Sequence, residues 1–297
     1  SYGFVNKNDR KIDDLNKLIA NYSKSQYRDD ALFELGNTYV AEKNYDLAIK
    51  AYDQLLSEFK KGSYASKSIL RQGLVYYNTE KDDLAIAKFK KVAAEFPKSP
   101  EALEAVSTAR IIYVDNGKVD EYATWVRTLD FVSVTDSELD NDTFEAAEKQ
   151  FLQNNTKQAI SGFSNYVTKF PNGNHALNAN FYLAQSYFTE GLEANSVANY
   201  EFVISKSRNE FTEQALARLS EIFIKSNDNS KLVPILKRLE TEADFPQNII
   251  FAQSNAMKAS YELEKYHEAV IFADKVLQNE KIGNSVKSDA QFIIARS

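Results

Sequence analysis

Leu35-Gly36-Asn37-Thr38-Tyr39 is followed by Ala48-Ile49-Lys50-Ala51-Tyr52, and the arrangement returns as Gln72-Gly73-Leu74-Val75-Tyr76 with Ala85-Ile86-Ala87-Lys88-Phe89. The step from Tyr39 to Tyr76 is 37 residues. Tyr2, Tyr113 and Tyr187 fall on the same grid, and Gln150 takes the point between the last two. Further on the grid slips by one, to Phe223 and then Ser260 beside Tyr261. The residues around the grid points agree. Leu183-Ala184-x-x-Tyr187 precedes Ser196-x-x-x-Tyr200, and Leu219-Ser220-x-x-Phe223 precedes Leu232-x-x-x-Leu236. Ala159-x-x-x-Phe163 with Pro171, and Ala269-x-x-x-Ala273, supply two further second halves. A fixed period of this length is the signature of a repeat architecture.

Each unit carries two apolar stripes at helical spacing, as in Leu32, Leu35, Tyr39 and then Leu47, Ala48, Tyr52, Leu55. The unit therefore reads as two antiparallel helices. Gly36, Gly73, Ala48, Ala85 and Ala159 sit where those helices approach closely. Helix signals agree. Ser99-Pro100-Glu101 reads as N-cap, first-turn proline and first-turn acid. Asn155 with Gln158 resembles a capping box, and Phe96-Pro97 and Phe170-Pro171 end the helices before them. A single pair cannot bury its apolar faces, so neighbouring pairs must stack.

Composition fits an all-α chain. Among 297 residues there are only 9 Gly and 5 Pro, too few for a protein built of many tight β-turns. Hydrophobic residues make up 43 % and charged residues 26 %, enough to bury a real core. With no Cys there is no disulfide framework, thiolate metal site or thiol nucleophile. The formal charge of −6, with no basic stripe, argues against nucleic-acid binding. No apolar run approaches the ~20 residues needed to cross a bilayer, and Ser1–Lys7 does not read as a signal peptide.

The paired motif resembles the tetratricopeptide repeat (TPR) family, whose pattern is W-x-x-L-G-x-x-Y, then A-x-x-x-F, then P. The resemblance covers nearly the whole chain. It implies a right-handed α-solenoid of stacked antiparallel helix pairs. The unit length of 37 exceeds the usual ~34, and the extra residues fall in connections such as Phe96-Pro97-Lys98-Ser99-Pro100. In this the chain is similar to the periplasmic TPR proteins of Gram-negative envelopes, the outer-membrane assembly lipoprotein and Tol–Pal-associated types. That likeness implies a periplasmic or outer-membrane-associated location; a cytoplasmic one is the alternative.

The expected organisation is a truncated repeat over residues 1–28, a first sub-array over 29–129, an acidic loop over 130–142 and a second sub-array over 143–297 ending in an unpaired helix. The loop is read from its five acids, its lack of bases and its lack of helical periodicity. A cation or a basic partner is the minority reading of that acidity. Because Tyr2 sits at a late first-helix position, the chain is expected to be a segment cut from a longer protein.

No reaction chemistry is visible. His175 and His267 lack second ligands at metal spacing and are expected on the surface or in a groove. Asp13-Asp14, Asp29-Asp30 and Asp82-Asp83 read as acids near helix starts. No phosphate-binding loop or nucleophile elbow occurs, so neither an enzyme nor a cofactor is expected. The family register places Phe33, Asn37, Leu70, Leu74, Tyr77, Ile111, Phe144, Phe151, Phe181, Gln185 and Phe188 along a concave groove for a partner peptide or helix. Asn37 and Lys67/Arg71 match part of a carboxylate clamp, but Phe33 stands where its first lysine belongs. The function expected is a non-catalytic protein-binding scaffold, associated with an outer-membrane or cell-wall complex. The alternative is a glycan-associated helper whose groove aromatics stack on sugars.

Overall fold

The computed structural model describes the backbone of residues 2–297 and the side chains of residues 7–297. The side chain of the grid residue Tyr2 lies outside the described residues. Among the described residues there are sixteen α-helices and no strand. The chain divides into two compact units, Ser1–Asp142 and Thr143–Ser297. Unit 1 opens with α1 (Tyr2–Asn21). Three pairs follow: α2 (Arg28–Ala41) with α3 (Tyr45–Glu58), α4 (Ala65–Asn78) with α5 (Asp82–Glu95), and α6 (Pro100–Asp115) with α7 (Val119–Val126). The boundary falls inside α8 (Asp136–Leu152), which pairs with α9 (Thr156–Lys169). Unit 2 continues with α10 (Ala176–Thr189) and α11 (Glu193–Ser205), α12 (Thr212–Lys225) and α13 (Asn229–Glu242), α14 (Pro246–Glu262) and α15 (Tyr266–Gln278), and closes on α16 (Asn284–Arg296). In each unit consecutive helices pack on one another, so each is an all-α stack of helix pairs.

One turn, used seven times, makes every pair. Lys43, Glu80, Gly117, Asn154, Gly191, Asn227 and Glu264 all have φ between 54° and 73°. Each sits four residues after a grid residue. The backbone N–H that follows donates to the grid residue's carbonyl: Asn44 to Tyr39 at 2.8 Å, Lys81 to Tyr76 at 2.9 Å, Lys118 to Tyr113 at 2.7 Å. Leu192 to Tyr187 and Lys265 to Ser260 repeat it at 2.9 Å. The left-handed residue itself donates to the carbonyl three back, as Lys43 does to Val40 at 3.0 Å. These two bonds are the Schellman closure of a helix C-terminus. The grid thus marks the residue whose carbonyl closes the turn, which explains why Gln150 and Ser260 can stand on it without an aromatic ring.

The close approaches are where the small residues predict. A Cβ at Gly36 would meet Tyr52 Cζ at 2.7 Å, and one at Gly73 would meet Phe89 Cε1 at 2.5 Å. Tyr52 and Phe89 are themselves fully buried, so neither ring can swing into solvent. Second helices add Leu55, Val92, Val203 and Leu239 to the buried clusters of their units. Burial, the largest influence, pushes the Tyr52 phenol well above its ordinary range, and its hydroxyl donates to Asn37 Oδ1 at 2.8 Å.

Four expectations are corrected. Residues 1–28 are not the end of one helix plus a second; α1 runs unbroken where later units turn. It packs on α2, and no described helix precedes it to fold back against. Asp13-Asp14 accordingly lie exposed in the middle of α1, away from any helix start. The acidic stretch 130–142 is a loop only as far as Thr135, because α8 begins at Asp136. Thr135 and Glu138 form a reciprocal capping box. Glu138 Oε2 accepts from the Thr135 N–H at 2.7 Å, and Thr135 Oγ1 accepts from the Glu138 N–H at 3.2 Å. The Thr135 N–H, with the Thr135 hydroxyl that also donates to Oε2 at 2.8 Å, holds the Glu138 carboxyl below its usual range. Asp142 is fully buried and forked by the Arg110 guanidinium, which uses its charge inside the fold. Asn155 makes no cap; its amide donates back to Gln150 and Gln153. Ser99, in contrast, accepts from the Ala102 N–H at 3.1 Å as its motif predicts.

Candidate functional site

The first helix of each pair buries one stripe and leaves another open. In unit 1 the open stripe holds Asn37, Leu74, Tyr77 and Ile111; the first three are half-buried and Ile111 is 48 % exposed. Asn37 is already engaged, by Tyr52 and by Glu34. Lys67 lies over the Tyr64 ring at 5.5 Å, and Phe33 replaces the clamp lysine, so no carboxylate clamp is assembled here. In unit 2 Phe151, Gln185 and Phe188 are half-buried and reachable.

Phe33, Leu70, Phe144 and Phe181, expected in the groove, are core residues instead. For the three phenylalanines the reason is a repeated lid. The residue just before the next pair's first helix lies flat on the ring. Tyr64 stacks on Phe33 at 4.8 Å, His175 on Phe144 at 4.3 Å and Phe211 on Phe181 at 4.1 Å. The interplanar angles are 25°, 10° and 16°. Ring stacking of this kind adds about 0.5–1.5 kcal/mol to the burial itself. His175 is thus committed to a core ring, whereas His267 is exposed on the surface. Leu70 is buried with Phe89 and Val106 in the core of unit 1.

α12 carries no such phenylalanine. Its buried stripe is Ala215, Leu216, Leu219, Ser220 and Phe223. Gln214, Ala217, Arg218 and Glu221 face the other way and line an open cavity of about 630 Å³. The segment before α12 and the start of α14 complete its walls. The charged groups there are mostly paired. Arg218 lies 4.4 Å over the Phe188 ring and donates to Glu221 at 2.8 Å. Arg208 pairs with Asp244 at 2.6 Å, which pushes the guanidinium above its already high ordinary pKa. Glu213 accepts from the N–H groups of Asp244 and Phe245 at 2.9 and 3.1 Å and from Asn248 Nδ2 at 2.7 Å, fixing the entry to α14. Glu210 and Gln214 have no such partner among the described residues, and Phe245 is 65 % exposed. Among the described residues no group of three or more His, Asp or Glu is placed to hold a metal ion, and no helix is long and apolar enough to cross a membrane.

A tetratricopeptide repeat family model matches residues 30–61 and 67–99. A search of curated proteins finds no match. Solved structures similar to the chain include a tetratricopeptide repeat protein from Parabacteroides merdae, at 15 % identity and TM-score 0.37, covering 84 % of this chain and 93 % of that one. The TPR2AB domain of yeast Sti1, in a complex named for pHSP90, is 13 % identical with TM-score 0.41, covering 92 % and 99 %. Naa15/Naa10 bound to HypK-THB is 17 % identical with TM-score 0.39, covering 91 % and 40 %.

In the repeat register Ala217 occupies the place of Phe33, Phe144 and Phe181, with the one-residue slip of the grid taken into account. Asn248 holds the register of their lids and donates to Glu213 at 2.7 Å, while Phe245 lies one turn earlier, with an extended backbone, before α14. The sequence reading missed this part of the face because it looked for large aromatics at the groove positions. The column that holds Phe33, Phe144 and Phe181 carries Leu70, Ser107, Ala217 and Ser254 in the other pairs.

Proposed function

We propose that the chain is a non-catalytic scaffold that binds a peptide or helix of another protein on the open stripe of its first helices. The observation that carries this reading is the 630 Å³ cavity over α12, continuous with Phe188 through Arg218. It mixes an exposed ring, amides and charges on one face, as partner-binding surfaces do, with no converging catalytic set. The envelope is the proposed setting, in a protein associated with an outer-membrane or cell-wall complex; the 37-residue unit with its Phe-Pro connections supports it.

The test is peptide selection by phage display against the intact chain. Selected peptides are then measured on a variant of the open stripe (Tyr77→Ala with Phe188→Ala) and on a variant of an exposed second-helix residue, Lys50→Glu. Binding lost on the first and kept on the second supports the reading. Selected peptides that bind both variants as well as the parent overturn it.

A further inference from the structure

The pair α6–α7 breaks the repeat pattern, and its exceptions meet at one cavity. Where Ala48, Ala85, Ala159 and Ala269 keep the second helix close, this pair has Tyr122. Where Gly36, Gly73, Ala147 and Ala184 keep the first helix close, it has Arg110. Where Phe33, Phe144 and Phe181 fill the core, it has Ser107, and Glu138 holds the register of the rings that cover them. Large side chains thus stand at close-packing positions and a small one at a filling position. Between α6, α7 and the segment that leads into α8 lies a cavity of about 300 Å³, lined by Ser107, Arg110, Tyr122 and Glu138. Leu103, Val106, Val132 and Val134 give it aliphatic walls.

The charges of this wall have partners already. Arg110 forks Asp142, and Glu138 caps α8 through Oε2. The hydroxyls do not. Tyr122 is only 5 % exposed, yet its hydroxyl makes no hydrogen bond among the described residues. Burial, the largest influence, raises its pKa, so it stays a neutral phenol. Arg110 and Glu138 act on the same hydroxyl, which puts it on their side of the ring, at the cavity. Ser107 and Ser133 add hydroxyls without a partner among the described residues. An enclosed hydroxyl with no partner is unfavourable, and an entering group that both donates and accepts removes that cost. A cation would meet Arg110 and an anion would meet Glu138, so the entering group is neutral. The aliphatic walls and the register of a phenylalanine suit a ring, and the hydroxyls suit a ring with a polar tip.

We infer that this cavity is a subsite for a phenol: a tyrosine side chain of the partner enters beside Ser107, lays its ring between the aliphatic walls and exchanges hydrogen bonds with Tyr122 and Glu138. Ser107 lies one turn before Ile111 of the open stripe, so the inference rests on the scaffold reading above and names one side chain of its partner.

The probe is p-cresol, the tyrosine side chain as a free molecule, titrated into the whole chain and followed by proton–nitrogen NMR. The ring of the single tryptophan, Trp125, lies 6.3 Å from that of Tyr122, so its one indole N–H signal reports on the cavity. p-Cresol is expected to shift that signal and to bind at least about ten-fold tighter than toluene, which lacks the hydroxyl. Tyr122→Phe is expected to cut the preference to about three-fold or less. Its melting temperature should stay level or rise, because the deleted hydroxyl holds no partner. Ser107→Phe, which restores the residue of three other pairs, is expected to abolish p-cresol binding; if that variant unfolds, the Tyr122→Phe comparison decides alone. Toluene binding as tightly as p-cresol overturns the inference. So does tighter binding of n-butylamine, the lysine analogue, a preference for p-cresol that survives Tyr122→Phe, p-cresol binding that survives in a folded Ser107→Phe chain, or no shift at any amide or indole signal. In any of these cases the phage-selected peptides decide separately: if they still depend on Tyr77 and Phe188, the scaffold reading stands and only the phenol subsite falls.

Discussion

Gly73→Ala separates close helix packing from helix propensity, because the two act in opposite directions. In an open helix this substitution would stabilise by about 1 kcal/mol. Here the new methyl carbon would sit 2.5 Å from Phe89 Cε1 and 2.8 Å from Cδ1, against an ordinary carbon contact of about 3.5–4.0 Å. Phe89 is fully buried, between α4 and the rest of the unit 1 core, so relief must come from the helices themselves. Overpacking of this kind costs about 1–3 kcal/mol. The net expectation is a loss of up to about 2 kcal/mol, with no gain. In a Phe89→Leu background the obstructing edge is gone, and the same substitution is expected to become neutral or stabilising. The coupling should therefore be about 1–3 kcal/mol. The single tryptophan, Trp125, packs against this cluster, so its fluorescence in a urea titration reports on the region concerned. Gly73→Ala raising the midpoint in the Phe89 background would refute the close-packing argument.

Other expectations follow from single observations. Glu80 holds φ at 58° without being glycine, a conformation that costs a side chain about 1–2 kcal/mol; Glu80→Gly should leave the thermal midpoint level or raise it, whereas Glu80→Val should lower it. Thr135→Ala removes half of the capping box that starts α8 and should destabilise by about 1 kcal/mol in urea melts, with Thr135→Ser nearly silent. The Arg28 guanidinium hydrogen-bonds Glu58 at 2.6 and 2.8 Å and holds its carboxyl below the usual 4.5. A lowered carboxyl pKa contributes stability that is complete above 4.5 and lost as pH falls through the folded value. Acid unfolding followed by circular dichroism should therefore begin just below that pH, and Glu58→Gln should make the decline shallower.

The period, the helix pairs and their close contacts were all readable because they depend on residues that face each other across a fixed distance. Gly36, Tyr39 and Tyr52 keep their spacing in Gly73, Tyr76 and Phe89, since moving the glycine or the ring would break their contact. The turn itself was hidden. Lys43, Glu80, Gly117 and Asn154 share a left-handed backbone but no side-chain chemistry, so only the geometry reveals them as one feature. The start of α8 was legible as Thr135-x-x-Glu138, yet the five acids around it outweighed that signal. Two of those acids, Asp140 and Asp142, are buried, and a count of charge does not show which carboxylates will be enclosed. The groove aromatics failed for a different reason. Register tells which side of a helix Phe33, Phe144 and Phe181 face. It does not tell that a ring some thirty residues later closes over each.

The seven left-handed turns have one more consequence. From Gly36 to Lys43 is seven residues and from Lys43 to Ala48 is five, and the same offsets hold from Ala184 to Gly191 to Ser196 and from Ser220 to Asn227 to Leu232. The slip of the grid therefore lies outside the hairpins, between Ser196 and Ser220, in the stretch that joins α11 to α12. Chain length is rigid inside a hairpin and negotiable at the seam between hairpins. A peptide grafted into residues 206–208, ahead of the core-facing Phe211, should leave the stack intact, while one grafted into residues 42–44 would break it. Arg208, Asn209 and Glu210 belong to that same seam and to the cavity wall. The place where this fold accepts editing is the place that shapes the α12 cavity, so that cavity can be rewritten by seam length and sequence without touching the helices that hold it up.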